Sequence, residues 1–171
     1  DTIILCGIPK GVGGGLTVRI NVVGTEHTEA LNAFQYMIPL VSRVSPVFSP
    51  TSGQTLVTTF GRHFGAVDYS DVVRIGLSNT NWMIYFSDTS LRTRSVPGVG
   101  NRLAVALSVQ SQHSTFSSVF YYIRPQVSSL LTTNFPATGC VSVTASGNYF
   151  GTHGSTPSTS LLSTAGLTTF W

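Results

Sequence analysis

The chain matches itself at a fixed offset, and the match wraps around its ends. Pro39, Val41, Ser42, Pro50, Gly53, Val57, Thr58, Gly61, Phe64 and Gly65 recur as Pro125, Val127, Ser128, Pro136, Gly139, Val143, Thr144, Gly147, Phe150 and Gly151, an offset of 86 residues. The front of the chain matches the middle instead. Asp1-Thr2, the turn from Pro9 to Gly13, Leu16, Val18, Phe34 and Tyr36 answer to Asp88-Thr89, Pro97 to Gly100, Leu103, Val105, Phe120 and Tyr122. Self-similarity at a fixed period marks a repeat architecture, in which each repeat buries its apolar face against a neighbour.

The order of the pieces divides the chain in three. Residues 1–38 read as the C-terminal half of a module, 39–124 as one complete module, and 125–171 as the N-terminal half of another. Joining Trp171 to Asp1 restores a module of 85 residues against 86 for the internal copy, with Phe170-Trp171-Asp1-Thr2 lying over Phe86-Ser87-Asp88-Thr89. The expectation is that 125–171 is completed by 1–38 of the next unit, so that the period is two modules.

Composition narrows the class. Hydrophobic residues make up 42% of the chain, yet only 9% of residues are Asp, Glu, Lys or Arg, against a usual value of roughly 25%. Abundant Ser and Thr either carry O-linked sugars or line the solvent faces of strands, and there is no Asn-x-Ser/Thr sequon. The net charge is +3. The basic residues, all Arg except Lys10, are scattered along the sequence, whereas a nucleic-acid footprint calls for clustering on one face. No apolar stretch approaches the roughly 20 residues of a membrane span.

Short runs rich in β-formers, separated by Gly, Pro and Ser, predict strands at Thr2 to Leu5, Leu16 to Val23, Ala33 to Ile38, Leu56 to Phe60, Val72 to Leu77, Trp82 to Phe86, Leu103 to Val109, Val119 to Ile123 and Val141 to Thr144. Ala30, Leu31 and Phe34 have helical spacing within Glu26 to Met37, but the strand-like partner Ser118 to Ile123 argues against a helix there. The fold class is all-β, as tandem immunoglobulin-like sandwiches.

The motifs resemble the IPT/TIG family of immunoglobulin-like domains. A Pro opening a strand, a Ser-Pro bend, a Gly before a Val-Thr strand and a Gly-x-x-Phe-Gly turn are similar to Pro39-Leu40-Val41, Ser45-Pro46, Gly53 to Thr58 and Gly61 to Gly65. They recur as Pro125 to Val127, Gly139 to Thr144 and Gly147 to Gly151. The resemblance implies the fold over essentially the whole chain and says less about function, since such domains occur in surface receptors, large extracellular proteins, some enzymes and certain transcription factors.

Candidate chemistry is sparse. Lys10-Gly11-Val12-Gly13-Gly14-Gly15 lacks the Gly-Lys-Ser/Thr ending of a phosphate loop, and its copy at Pro97 to Asn101 reads as a hairpin turn. His27, His63, His113 and His153 have no metal-ligand spacing, and no acid pairs with them in a catalytic pattern. Asp1 and Asp88 occupy matching places, which points to a turn or cap. Neither a catalytic residue nor a metal site is assigned, and no enzyme activity is expected. Cys6 and Cys140 have Thr93 and Gln54 as their counterparts, so one module holds both thiols. They form a disulfide between successive units, or they are two separate buried thiols. Where the family pairs its strand Cys with one on a neighbouring loop, near Gly166 here, that second Cys is missing. Thr152, Ser155, Thr156, Ser158, Thr159 and Ser160 are the candidate O-glycosylation sites. No cofactor is expected, and O-linked glycans are the one non-protein component the composition allows.

These features predict a structural repeat unit of an extracellular or cell-surface filament, built from end-to-end IPT/TIG-like domains, whose partners are copies of itself and not nucleic acid. Aromatic residues such as Tyr85, Phe120 and Tyr121 serve either lateral contacts or the core. The alternative is a ligand- or glycan-binding segment of a surface receptor or adhesin.

Overall fold

Alternation decides which residues of the chain meet. In the run from Leu103 to Val109, Val105, Leu107 and Val109 are fully buried while the residues between them face outward. A pleated strand sends successive side chains to opposite faces, so such a run settles with one face on a core. The structure, a computed structural model, describes residues 3–21, 27–131, 133–134, 136–139, 141–152, 158, 160–161 and 164–165.

Among the described residues fifteen strands follow in order: β1 Leu16–Asn21, β2 His27–Phe34, β3 Leu40–Ser45, β4 Phe48–Ser49, β5 Leu56–Arg62, β6 Val72–Ile75, β7 Ser78–Asn79, β8 Met83–Ser87, β9 Ser90–Arg94, β10 Leu103–Val109, β11 Gln112–Tyr122, β12 Gln126–Leu130, β13 Ala145–Asn148, β14 Ser160–Leu161 and β15 Thr164–Ala165. There is no helix among the described residues. The region around Ala30, Leu31 and Phe34 lies in β2, so strand pairing overrides its helical spacing.

β3 to β11 form two facing sheets. One has the antiparallel order β3-β5-β9-β8, and the other has the order β4-β11-β10-β6-β7, in which β4 runs parallel to β11. Val41, Val44, Val57 and Leu91 from the first sheet meet Val73, Ile75, Val105, Leu107, Val109 and Phe120 from the second. Phe64 closes one end with no exposed surface. Each such side chain contributes about 1.5–3 kcal/mol by leaving water.

Three two-stranded sheets complete the described residues: the hairpin β14-β15, and two that flank the sandwich, β1-β2 before it and β12-β13 after it. The flanking two repeat its local geometry. β1 pairs with β2 through Leu16↔Phe34 and slips register before Val18, as β10 pairs with β11 through Leu103↔Phe120 and slips before Val105. β12 and β13 pair through Val127↔Gly147 and slip before Ser129, matching Val41↔Gly61 and the slip before Arg43. Left-handed residues recur as well: Asn32 and Ser118, His63 and Tyr149, Gly53 and Gly139, Gly65 and Gly151.

Several expected strands take other bounds. β2 ends at Phe34 where a strand to Ile38 was predicted, β3 and β12 form just after Pro39 and Pro125 where the family resemblance implies a strand opening, and the first part of β11 lies outside the predicted strand. Ile3 to Leu5 and Val141 to Thr144 form no strand. Ile3 to Leu5 answer to residues of β9, and Val143-Thr144 to residues of β5, and those two strands pair with each other in the central sandwich. Among the described residues Ile3 to Leu5 therefore lack a β5-like neighbour and Val143-Thr144 a β9-like one on the side away from β12, and unpaired strand edges do not hold a ladder.

Candidate functional site: the two ends of the sandwich

The most distinctive local geometry among the described residues lies at the two ends of the sandwich. The upper end is built on the turn after β5. His63 and Gly65 take positive φ, and Gly61 lies so close to the Leu40 carbonyl oxygen that a side chain cannot fit. Asp88 holds this turn, its carboxylate accepting from the backbone N–H of Gly65 at 3.0 Å and of His63 at 3.3 Å. The Tyr85 hydroxyl donates to the Gly65 carbonyl at 2.7 Å. Burial, with Asp88 next, raises the pKa of that hydroxyl.

Onto this end docks the loop before β1. Val12 is half-buried against the core, and Gly13 is buried. The Gly14 N–H donates to Ser111 Oγ at 3.2 Å, and Gln112 Nε2 donates to the Tyr36 carbonyl at 2.9 Å, tying this loop and the strand exit to the β10–β11 hairpin. A cleft of about 390 Å³ remains between Tyr36, Ile38 and Pro39 on one side and Arg62 and His63 on the other.

The lower end carries the same loop without a cover. Tyr122 donates its hydroxyl to the Val96 carbonyl at 2.7 Å, as Tyr36 does to Pro9 at 2.8 Å. The backbone N–H of Tyr122 reaches Gly100 at 2.9 Å, as that of Tyr36 reaches Gly13 at 3.0 Å. Phe120 and Tyr122 meet edge to face at 5.7 Å, as Phe34 and Tyr36 do at 5.0 Å. Val99, the counterpart of Val12, is nevertheless 51% exposed. It lines a cleft of about 730 Å³ with Phe48, Tyr121, Tyr122, Arg124 and Tyr149.

The aromatic residues singled out in the sequence separate. Phe120 is in the core, Tyr85 packs partly against it, and only Tyr121 is well exposed, stacked on Phe48 at 5.9 Å. A lateral role for Phe120 is thereby corrected, because its β11 position faces inward. His27 begins β2 and is exposed, His63 sits in the Asp88-held turn, His113 Nδ1 lies 2.9 Å from Ser108 Oγ, and His153 is outside the described residues. No group of three or more His, Cys, Asp or Glu residues gathers among the described residues.

Cys6 is exposed and unpaired, and Cys140 lies outside the described residues. Their counterparts differ in setting: Thr93 is buried and pairs with Val57, three residues from the exposed Gln54. Of the candidate glycan sites, Thr152 is half-buried, Ser158 is exposed and Ser160 opens β14, while Ser155, Thr156 and Thr159 lie outside the described residues.

Two features escaped the sequence. Asp71 is 6% exposed, with neither carboxylate oxygen hydrogen-bonded, and burial, with Asp68 second, pushes its pKa from 3.8 to about 6. The arginines, scattered along the chain, converge in space: Arg43, Arg92 and Arg94 share the outer face of the β3-β5-β9-β8 sheet. Their spacing along the sequence hides this, because antiparallel pairing brings distant strands together.

Two sheets of this topology closed over one apolar core define an immunoglobulin-like β-sandwich. Residues 39–123 match the family model described as IPT/TIG domain, and this segment belongs to that family. No curated protein matches the chain. Among solved structures, the full extracellular region of plexin A4 (domains 1 to 10) is similar with a TM-score of 0.49 and 19% identity over 67% of this chain. An auxiliary nutrient binding protein from Bacteroides thetaiotaomicron is similar with a TM-score of 0.43 and 21% identity over 55% of this chain. SGBP-B of a xyloglucan utilization locus in Bacteroides uniformis gives 0.42 and 14% over 56%. The chain spans 10% of that plexin chain, 22% of the nutrient binding protein and 26% of SGBP-B.

Proposed function

We propose that this chain is a structural repeat unit of an extracellular or cell-surface filament built from IPT/TIG-like sandwiches joined end to end. In each joint, segment 125–171 of one unit and segment 1–38 of the next make one sandwich. The observation that carries this reading is the pair of unformed strands. Ile3 to Leu5 and Val141 to Thr144 answer to β9 and β5, which pair through Val57↔Thr93, Thr58↔Arg92 and Thr59↔Leu91. Each flanking segment thus holds the strand that the other lacks. Ile3, Ile4 and Leu5 on one side and Val127, Val141 and Val143 on the other leave large apolar areas in water, which a folded chain retains only where a partner covers them.

The contrast between Val12 and Val99 supports the same reading, since one copy of the loop is docked and the other is bare. A head-to-tail contact of this kind propagates without closing. Low charge and abundant Ser and Thr suit a surface or extracellular setting, with sugars on the stretch from Thr152 to Ser160.

Sedimentation velocity of the 171-residue chain over rising concentration, with electron microscopy of the heaviest fraction, tests the proposal. Linear oligomers whose length grows with concentration are expected. A chain that stays monomeric at the highest attainable concentration refutes it.

A further inference from the structure

The outer face of the β3-β5-β9-β8 sheet carries a cationic surface that end-to-end joining leaves unused. Arg92 and Arg94 alternate with the buried Leu91 and Thr93 on β9, so both guanidinium groups stand on the outer side. Each covers an aromatic ring: Arg92 lies 4.6 Å from the Phe86 centroid, Arg94 lies 5.2 Å from that of Trp82, and Arg43 lies 5.2 Å from that of Phe60. None of the four strands contains an acidic residue. Among the described residues the one ion pair joins Arg19 to Glu29, on a different sheet.

A guanidinium laid flat on a ring is held in place, loses less freedom on binding, and keeps its N–H edge turned outward. That edge matches carboxylate or sulfate groups in a bidentate way. Two such forks on alternate residues of one strand sit about 7 Å apart. This spacing suits charges recurring along a polymer, with the Thr58 hydroxyl beside Arg92 for a neutral contact. Because the rings are already covered, the face lacks the open stacking platforms on which single-stranded nucleic acids bind. A second copy of the chain is a poor occupant as well, since nine basic residues against six acidic ones make like charge meet like.

We propose that this sheet face binds an acidic polysaccharide through its sulfate or carboxylate groups. The test is calorimetric titration of the full chain with heparin and with polygalacturonate, using dextran as the neutral control and a single-stranded oligonucleotide as the competing polyanion. Salt-sensitive binding to one or both acidic polymers is expected, and none to dextran. Arg92→Gln with Arg94→Gln should weaken it about 100-fold, at roughly ten-fold for each charged contact. Arg74→Gln with Arg102→Gln, off this face, should leave it unchanged. Thr58→Asp, which sets a carboxylate beside Arg92, gives a second reading should the arginine variant unfold. No binding to either acidic polymer, an equal loss in the off-face variant, or tighter binding of the oligonucleotide overturns the proposal.

Discussion

Asp71 gives the sharpest thermodynamic test of the central sandwich. Its carboxylate is buried just before β6, both oxygens lack hydrogen-bond partners, and Asp68 adds a like charge nearby. Its pKa rises from 3.8 to about 6, burial first and Asp68 second. Below about pH 4 both folded and unfolded chains hold the proton, and the site costs nothing. Between pH 4 and pH 6 the unfolded chain ionises while the folded one keeps its proton, so stability falls as pH rises through this window. Above pH 6 the full cost applies. A shift of about two units corresponds to a ceiling of about 3 kcal/mol. Asp71→Asn keeps the shape and removes the charge, so the variant should gain stability over the natural chain as pH rises. Differential scanning calorimetry at a series of pH values reads the gain at about 2–4 °C in Tm per kcal/mol for a chain of this size. The difference between the two proteins isolates Asp71 from other titrating groups. A gap that does not change with pH, or a variant less stable at neutral pH, refutes the reasoning.

Three further substitutions test the geometry directly. Gly61→Ala places a methyl group into the Leu40 carbonyl oxygen and the Phe64 ring, and should cost more than about 3 kcal/mol in urea unfolding, whereas Gly7→Ala, with nothing within 4 Å, should stay within about 0.5 kcal/mol. Equal effects would show that the turn relaxes freely. Ile4→Asp, in the unformed strand of segment 1–38 where the side chain is exposed, should leave the Tm of the chain nearly unchanged while abolishing concentration-dependent assembly in sedimentation. Persistent assembly would place the joint elsewhere.

The parts of the fold legible in the sequence are those governed by neighbours along the chain. The Gly-x-x-Phe-Gly turns call for positive φ or close backbone approach at their glycines, and Gly65 and Gly151 take positive φ while Gly61 and Gly147 lie against the carbonyl oxygens of Leu40 and Gln126. The strict alternation of Leu103 to Val109 announced β10. Apolar alternation does not announce β9, because Ser90-Leu91-Arg92-Thr93-Arg94 contains one large apolar residue, and its inner face is completed by Thr93, whose hydroxyl donates to the Trp82 carbonyl at 2.8 Å. β11 was read short because Ser117-Ser118 interrupts its pattern, where positive φ at Ser118 lets the strand slip register without ending. Neither the burial of Asp71 nor the arginine face was visible, since both depend on which strands become neighbours across the sheet.

The same division explains the asymmetry between the flanking segments and the centre. A hairpin such as β1–β2 satisfies its ladder internally, and the hydroxyl of Tyr36 clamps the Pro9 carbonyl without help from another module. Among the described residues the β9-like stretch pairs with no strand, and the β5-like one is paired only on its β12 side, where the Leu131 N–H donates to the Thr144 carbonyl at 2.9 Å, so the remaining backbone groups wait for a strand from elsewhere. Joining two units would then form the strand pair and cover the apolar faces in one step, coupling folding to association. Docking contacts formed by the preordered loop around Val12 carry little of that ordering cost. The loop can therefore set the angle between modules, while the strand pair supplies the strength of the joint.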